Sequence, residues 1–233
     1  MGAAIFPGVN VASEYLPLEL CFEESRAAHA LTWTVIQTGE RIVAGIVLAF
    51  TAPVLAVAAV ILVLASRRSP LIAHRRIGKS GRPFWIFKLR TMWNREVQRP
   101  LHLIERIVQD PPLQKTKSLQ DPRIGNRFAA FCRRYSIDEL PQLWQVVRGE
   151  MALIGPRPLT EGEIQAHYGS EANELLYRKP GITGLWQIRG RSALNYRQRR
   201  RFDLFLHRHW SLRLYLHIAA ATIPAVFSGR NAW

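Results

Sequence analysis

The sequence predicts a membrane-attached chain of mixed helix and strand, organised as one folded domain with appendages. Three stretches predict it: an uncharged run at 42–65, an apolar-rich extended segment at 82–92, and a basic, aromatic helical stretch at 196–225. The chain has 233 residues, 48% of them apolar, with 32 Lys+Arg against 17 Asp+Glu and a formal net charge of +15. Ten Phe, seven Trp and six Tyr, beside abundant Leu, Ile and Val, bury enough surface to offset chain entropy, which excludes a disordered chain. No Gly/Ser-rich or Pro-rich linker divides the sequence and it has no internal repeat. Cys21 and Cys132 are its only cysteines, which excludes a disulfide framework or a thiolate zinc site and suits a reducing compartment. So basic a surface meets an anion: nucleic acid, lipid head groups or phosphorylated substrates.

The first forty residues hold one basic and five acidic side chains, a net of −4, whereas 41–233 hold 31 basic and 12 acidic, a net of +19. Between these regions Ile42–Ala65 runs for 24 residues without a charge. It begins too far from the N-terminus, behind an acidic rather than a basic flank, to be a cleaved signal peptide. As one helix it rises roughly 36 Å, enough to cross a hydrocarbon core of about 30 Å. Pro53 near its middle removes a backbone hydrogen bond, and Thr51 is placed to bond freed carbonyls. If the kink is sharp, halves 42–52 and 53–65 reach only about 17 and 20 Å, and the segment dips into the membrane and returns to the same face. Both topologies stay open on these residues.

Arg67, Arg68, His74, Arg75 and Arg76 follow as a basic collar suited to anionic head groups or to positive-inside topology. Residues 82–92 read as a strand with Ile86, Phe84 and Phe87 largely buried and Lys88 and Arg90 together on one face. Gly78-Lys79-Ser80 imitates the end of a phosphate-binding P-loop, but the first glycine of that motif falls at Ala73. No G-x-G-x-x-G and no D-x-D pair occurs.

The chemistry concentrates in 121–191. Asp138 and Glu139 are adjacent carboxylates in a strongly basic domain, able to bind a hard divalent cation or, one of them, to attack phosphorus. The competing reading is a capping box, Ser136-x-x-Glu139, although Pro141 fits poorly inside the helix that box would start. Arg133, Arg157 and Arg191 form a second set, with Arg157 held between Pro156 and Pro158 as a preset phosphate clamp or an exposed turn. Gly181 and Gly184 allow positive φ or close backbone approach, so Pro180–Gly184 either presents amides to a phosphate or is an ordinary tight turn. The basic and aromatic stretch Tyr196–Ala225 fits helices lying in a membrane interface, or stacking on single-stranded nucleic acid; the neighbouring membrane segment favours the lipid.

Ser136–Leu143, Gly149-Glu150-Met151, Gly155–Pro158, Pro180–Gly184 and Gln187–Arg191, with Pro83-Phe84, Lys88, Arg90-Thr91-Met92 and Asp121-Pro122-Arg123 upstream, together resemble the bacterial sugar transferases. These are monotopic polyprenyl-phosphate phosphoglycosyl transferases that initiate surface-glycan assembly, and the resemblance covers about residues 40–227. It implies a short form of an α+β, mainly helical, membrane-monotopic fold. Its parts would be an acidic leader (1–40), a re-entrant helix-break-helix (41–66) and a cytoplasmic catalytic domain (67–233) with interfacial C-terminal helices. It implies transfer of a phosphosugar from a UDP-sugar to polyprenyl phosphate with release of UMP, through an aspartyl phosphosugar on Asp138. Mg2+, or Mn2+, would sit at Asp138 and Glu139, with Lys88, Arg90, Arg133, Arg157 and Arg191 on the substrate phosphates. The implied setting is the cytoplasmic face of the bacterial inner membrane, with UDP-sugar, polyprenyl phosphate and anionic lipids as partners. Nucleic acid is not among them, and a homo-oligomer is compatible. A non-catalytic membrane scaffold for glycan assembly is the alternative. The chain departs from the family's pattern at Glu40 and Ala44, where a lysine and an acid are usual, at His74 in place of Gln, at Ala129-Ala130 in place of Gly-Arg, and at Tyr215 in place of an acid.

Overall fold

A computed structural model describes residues 26–93, 102–107, 124 and 126–229. Most of the acidic leader, Cys21 and the Asp121-Pro122-Arg123 element lie outside the described residues.

Helix α1 (Arg26–Ser66) takes up the uncharged run and extends well before it, so the division at residue 40 falls inside a helix. Pro53 cannot donate to the Ala49 carbonyl, yet α1 is one continuous element through it. The two halves expected on either side of Pro53 are therefore corrected to a single helix. The Thr51 hydroxyl donates to the Val47 carbonyl at 2.7 Å and the Leu48 carbonyl at 3.3 Å, so the polar side chain binds backbone rather than facing hydrocarbon unpaired. Trp33–Ser66 has a mean hydropathy of 2.8 over its most apolar window, only 11% of which is buried. It is long and apolar enough to cross a membrane.

Strands β1 (Leu71–Ile77) and β2 (Pro83–Leu89) form an antiparallel hairpin, and β3 (Ile104–Ile107) adds to β1 in parallel, giving the order β2-β1-β3. The Gly78-Lys79-Ser80 decoy is the hairpin's turn, with Ser80 at φ 56°. Helix α2 (Arg127–Arg134) starts at Asn126, whose side chain accepts from the Ala129 amide. A 3-10 turn (Ile137–Gln142) and α3 (Leu143–Val147) follow. A second, two-stranded parallel sheet pairs β4 (Ala152–Ile154) with β5 (Gly181–Thr183). Between these strands lie α4 (Glu161–His167) and α5 (Ala172–Leu176); α6 (Leu185–Arg189), α7 (Tyr196–Arg208) and α8 (Leu212–Ser228) close the chain. The described structure is mainly helical, and its long apolar N-terminal helix is compatible with monotopic membrane association.

The membrane helix is welded to this body along its length. Ala44 packs with Ile86, Leu143, Val146 and Met151, while Ala58 and Leu62 pack with Leu89, Trp93 and Ala129. Glu40, 4% exposed, accepts from the amides of Leu153 (3.1 Å) and Ile154 (3.4 Å) and from the Tyr215 hydroxyl (3.1 Å). Two departures from the family pattern, Glu40 and Tyr215, are thus bonded to each other, tying α1 to β4 and α8. On its outer side α1 leaves Ile42, Ile46, Phe50, Val54, Val57 and Leu64 exposed, and α8 leaves Leu212, Leu216, Ile223 and Phe227. These apolar faces fit a lipid surface. Of the basic collar, Arg75 is exposed, but Arg76 is buried, bonded to the Arg75 carbonyl, and acts electrostatically on Glu163.

Candidate active site

Asp138 and Glu139 open the 3-10 turn that follows α2. Ser136 does not cap it: its φ is 56°, its side chain makes no capping bond, and the Glu139 amide bonds the Ser136 carbonyl instead. The capping-box reading of Ser136 and Glu139 therefore falls. The boxes that do form are Thr160 with Glu163 at the start of α4 and Asn195 with Gln198 at the start of α7. Among the described residues four non-glycine side chains sit at positive φ, and two of them, Ser136 and Arg191 (φ 50°), meet across 55 positions of sequence. Arg191 Nη2 donates to Ser136 Oγ at 2.7 Å. Such backbone costs about 1–3 kcal/mol per residue and persists where the surroundings over-determine it, a pattern typical of functional sites.

Asp138 is 7% exposed, and the neighbouring Glu139 pairs with Lys88 of β2, Nζ to Oε1, at 2.6 Å. Lys88 thus reaches the carboxylates. Arg90 does not: it lies just past the end of β2, buried, with Nε on the Ser69 carbonyl at 2.8 Å and Nη2 on Glu105 at 2.5 Å. The shared face expected for Lys88 and Arg90 is corrected to two different tasks, since strand alternation no longer governs a residue beyond the strand.

Of the other three arginines, two feel the charge of the dyad. Burial lowers the Arg191 pKa, with Glu139 and Asp138 opposing that shift. Burial works the same way on Arg157, but Glu163 and Glu139 outweigh it and hold its guanidinium above the ordinary range. Arg133 donates to Thr91 Oγ1 at 3.4 Å. The Nε groups of Arg133 and Arg157 are enclosed without an acceptor. A buried donor left unpaired costs about 1–3 kcal/mol, more when charged.

Pro156-Arg157-Pro158 is set by the small parallel sheet. The Gly181 amide donates to the Pro156 carbonyl at 2.8 Å and the Gly155 amide to Thr183 at 2.9 Å. A Cβ on Gly184 would stand 2.5 Å from the Gly155 carbonyl oxygen and one on Gly155 2.7 Å from that of Lys179. These glycines serve close backbone approach rather than positive φ. The Pro180–Gly184 segment contains strand β5, and the Gly181 amide belongs to the sheet contact, which corrects both the tight-turn reading and the amide-cradle reading at that position.

The site also recruits residues that sequence reasoning passed over. Glu163 is 5% exposed and accepts from the Thr160 amide (2.9 Å) and the Tyr196 hydroxyl (3.1 Å). Burial opposes its charge, and Arg157, the Thr160 amide, Arg76 and Tyr196 together hold its carboxyl below the ordinary value. Trp186 takes Arg157 over its ring at 5.7 Å and Arg199 at 4.8 Å. Thr160-x-x-Glu163 was a legible capping signature; nothing local marked its link to Arg157.

The sequence profile of the family described as "Bacterial sugar transferase" matches residues 32–229. The chain belongs to this family. Over 167 residues this sugar transferase is 40% identical to "Exopolysaccharide production protein ExoY" of Rhizobium meliloti, a match covering 71% of this chain and 73% of that protein. It is 35% identical over 200 residues to "UDP-glucose:undecaprenyl-phosphate glucose-1-phosphate transferase" of Caulobacter vibrioides, covering 82% and 69%. It is 38% identical over 171 residues to "UDP-galactose-lipid carrier transferase" of Erwinia amylovora, covering 71% of this chain and 35% of that protein. The chain thus spans about a third of that longer relative.

Among the described residues of the sugar transferase no three His, Cys, Asp or Glu side chains converge to cage a metal. Asp138 and Glu139 offer oxygen donors alone. That set fits magnesium, which usually keeps several waters and substrate phosphate oxygens beside one or two carboxylates.

Proposed function

We propose that this sugar transferase moves a phosphosugar from a UDP-sugar to membrane polyprenyl phosphate, starting the assembly of a surface glycan such as an exopolysaccharide. The observation that carries the reading is the buried Asp138 beside Glu139, with Arg191 sensing both carboxylates electrostatically, Arg157 sensing Glu139, and Arg133 and Arg157 each holding an unpaired enclosed Nε.

An Asp138 carboxylate oxygen attacks the β-phosphorus of the donor; the bond from that phosphorus to the bridging oxygen breaks, and UMP leaves with the electron pair. The product is an acyl phosphate joining Asp138 to the sugar phosphate. An oxygen of polyprenyl phosphate then attacks the same phosphorus, the acyl-phosphate bond breaks, and Asp138 is restored as a carboxylate beside a polyprenyl diphosphate-sugar. Arg133, Arg157 and Arg191 spread the charge on the phosphoryl oxygens, which grows in the transition state. Lys88 holds Glu139 in place at 2.6 Å. The lipid phosphate is ionised at neutral pH and needs no general base, so Glu139 orients rather than removes a proton. Magnesium, or manganese, held by Asp138 and Glu139 would neutralise the diphosphate when bound.

For topology, we propose that both ends of α1 face the cytoplasm of a bacterial inner membrane. Packing of Glu40 near one end of the apolar stretch and Leu62 near the other against a single body supports this over crossing. Anionic lipids then meet the exposed cations, and the site lies where a water-soluble donor and a lipid acceptor can both arrive.

UMP release from a panel of UDP-sugars, with and without polyprenyl phosphate, tests the reaction and identifies the sugar. A chain that releases UMP from none of them would be the non-catalytic scaffold.

A further inference from the structure

Helix α2 ends where glycine is the usual residue and serine stands instead. Tyr135 closes the helix, its amide bonded to the Phe131 carbonyl at 3.2 Å, and Ser136 then turns left-handed at φ 56° and ψ 23°. Many helices end in this conformation, and glycine normally supplies it because a Cβ is strained there. What serine adds at this position is a hydroxyl, and the hydroxyl accepts from Arg191 Nη2 at 2.7 Å. The donor is strained in the same way: Arg191 sits at φ 50°, directly after Gly190. Two residues in left-handed backbone, 55 positions apart, thus hold one another by their side chains.

Ser136 also reaches the carboxylates through its main chain. Its carbonyl accepts the Glu139 amide at 3.1 Å and so fixes the turn in which Asp138 and Glu139 lie. One residue therefore joins the dyad, by its backbone, to an arginine that senses both carboxylates, by its side chain. On the other side of the guanidinium, Nη1 donates to the Ala225 carbonyl at 3.4 Å in the last turn of α8. Carbonyls there lack helical partners, and the helix dipole favours a cation. Both terminal nitrogens are thus directed by neutral oxygens, which orient the planar fork without adding negative charge, so its charge stays available to a phosphate. We propose that Ser136 is a positioning residue for the transfer: its hydroxyl aims Arg191 at the phosphate that Asp138 attacks. The proposal rests on the phosphosugar-transfer reading for the identity of that phosphate.

Two substitutions in the full chain, held in lipid nanodiscs, separate the hydroxyl from the backbone. Ser136→Ala and Ser136→Gly both lack the hydroxyl, but only glycine relieves the left-handed conformation. The glycine variant should melt about 2–4 °C above the alanine variant. Both should nevertheless slow UMP release at saturating UDP-sugar by the same factor, about ten- to a hundredfold. Activity that follows stability instead, with Ser136→Gly close to wild type, would make Ser136 a helix terminator only and overturn the proposal. The route through Arg191 is tested by a double-mutant cycle. In an Arg191→Ala background neither substitution at Ser136 should slow release further; losses that multiply would place the effect in the turn of the dyad and equally overturn the proposal. Calorimetric binding of UDP gives the same cycle without turnover: Ser136→Gly should weaken it about tenfold when Arg191 is present and leave it unchanged in Arg191→Ala. A chain that shows this binding cycle and releases no UMP from any UDP-sugar would defeat the transfer reading while the hold of Ser136 on a phosphate-binding Arg191 stands.

Discussion

At the residue scale, the proposed transfer depends on a few charged groups, one of which, Arg191, sits at positive φ. Arg157 is clamped between prolines, stacked on Trp186, and electrostatically coupled to Glu163 and Glu139. Replacing it with lysine keeps the charge and discards the planar fork, so Arg157→Lys should lower kcat/KM for the donor by about a hundredfold, with the fold unchanged by circular dichroism. Unchanged kinetics would place Arg157 in the scaffold only. Asp138, Glu139 and the three arginines could be named as candidates from the sequence, but on residue types alone a helix cap competed with chemistry at the pair, and the family resemblance decided between them. What Lys88 and Arg90 do was not legible, because Lys88 pairs 51 positions away with Glu139 and Arg90 turns to Glu105 on another strand. Long-range pairings of this kind leave no local pattern.

At the element scale, the small parallel sheet and the helix bonds place those residues. Gly181 has no room for a methyl group beside the Gly155 backbone, so Gly181→Ala must push β5 off β4. A cost of about 1–3 kcal/mol, read from thermal unfolding, is expected, together with loss of activity because Pro156 and Arg157 move with the sheet. The same substitution at Gly162, where a Cβ meets nothing within 4 Å, should be tolerated. Tyr215→Phe removes a hydroxyl from the buried Glu40 carboxylate at 3.1 Å and should cost about 1.5–3 kcal/mol in the same assay. The sequence showed Glu40 and Tyr215 only as two separate departures; that they compensate each other becomes visible when α1 and α8 meet. The membrane helix itself was plain from its lack of charge, whereas its continuity through Pro53 depends on the packing of both halves against the body.

At the scale of the whole molecule, topology and pH are the collective properties. With Cys21 and Cys132 replaced by serine, single cysteines at Val35 and Lys79 should both react with a thiol reagent only after the inner membrane is opened. Reaction at position 35 in intact cells would mean that α1 crosses. Asp203 supplies the pH signature: it is 1% exposed, and burial pushes its carboxyl up to about 8, against the Tyr168 hydroxyl and Arg157. The folded state then holds a proton that the unfolded chain releases, so this contribution is full below the ordinary carboxylate range and is lost as pH rises through about 8. The melting temperature of the wild type should fall between about pH 5 and about pH 9 relative to that of Asp203→Asn, whose side chain does not titrate; parallel curves would contradict this.

The covalent step unites the three scales, since it needs an ionised Asp138, a fixed arginine set and a membrane helix that holds both near the acceptor. Mixing the protein with a UDP-sugar labelled in the β-phosphate, without lipid acceptor, measures it directly. A covalent mechanism predicts about one UMP released per active chain and the label on the peptide containing Asp138, discharged when polyprenyl phosphate is added and absent from Asp138→Asn. UMP that appears only once the acceptor is present, with no label on the protein, would contradict it.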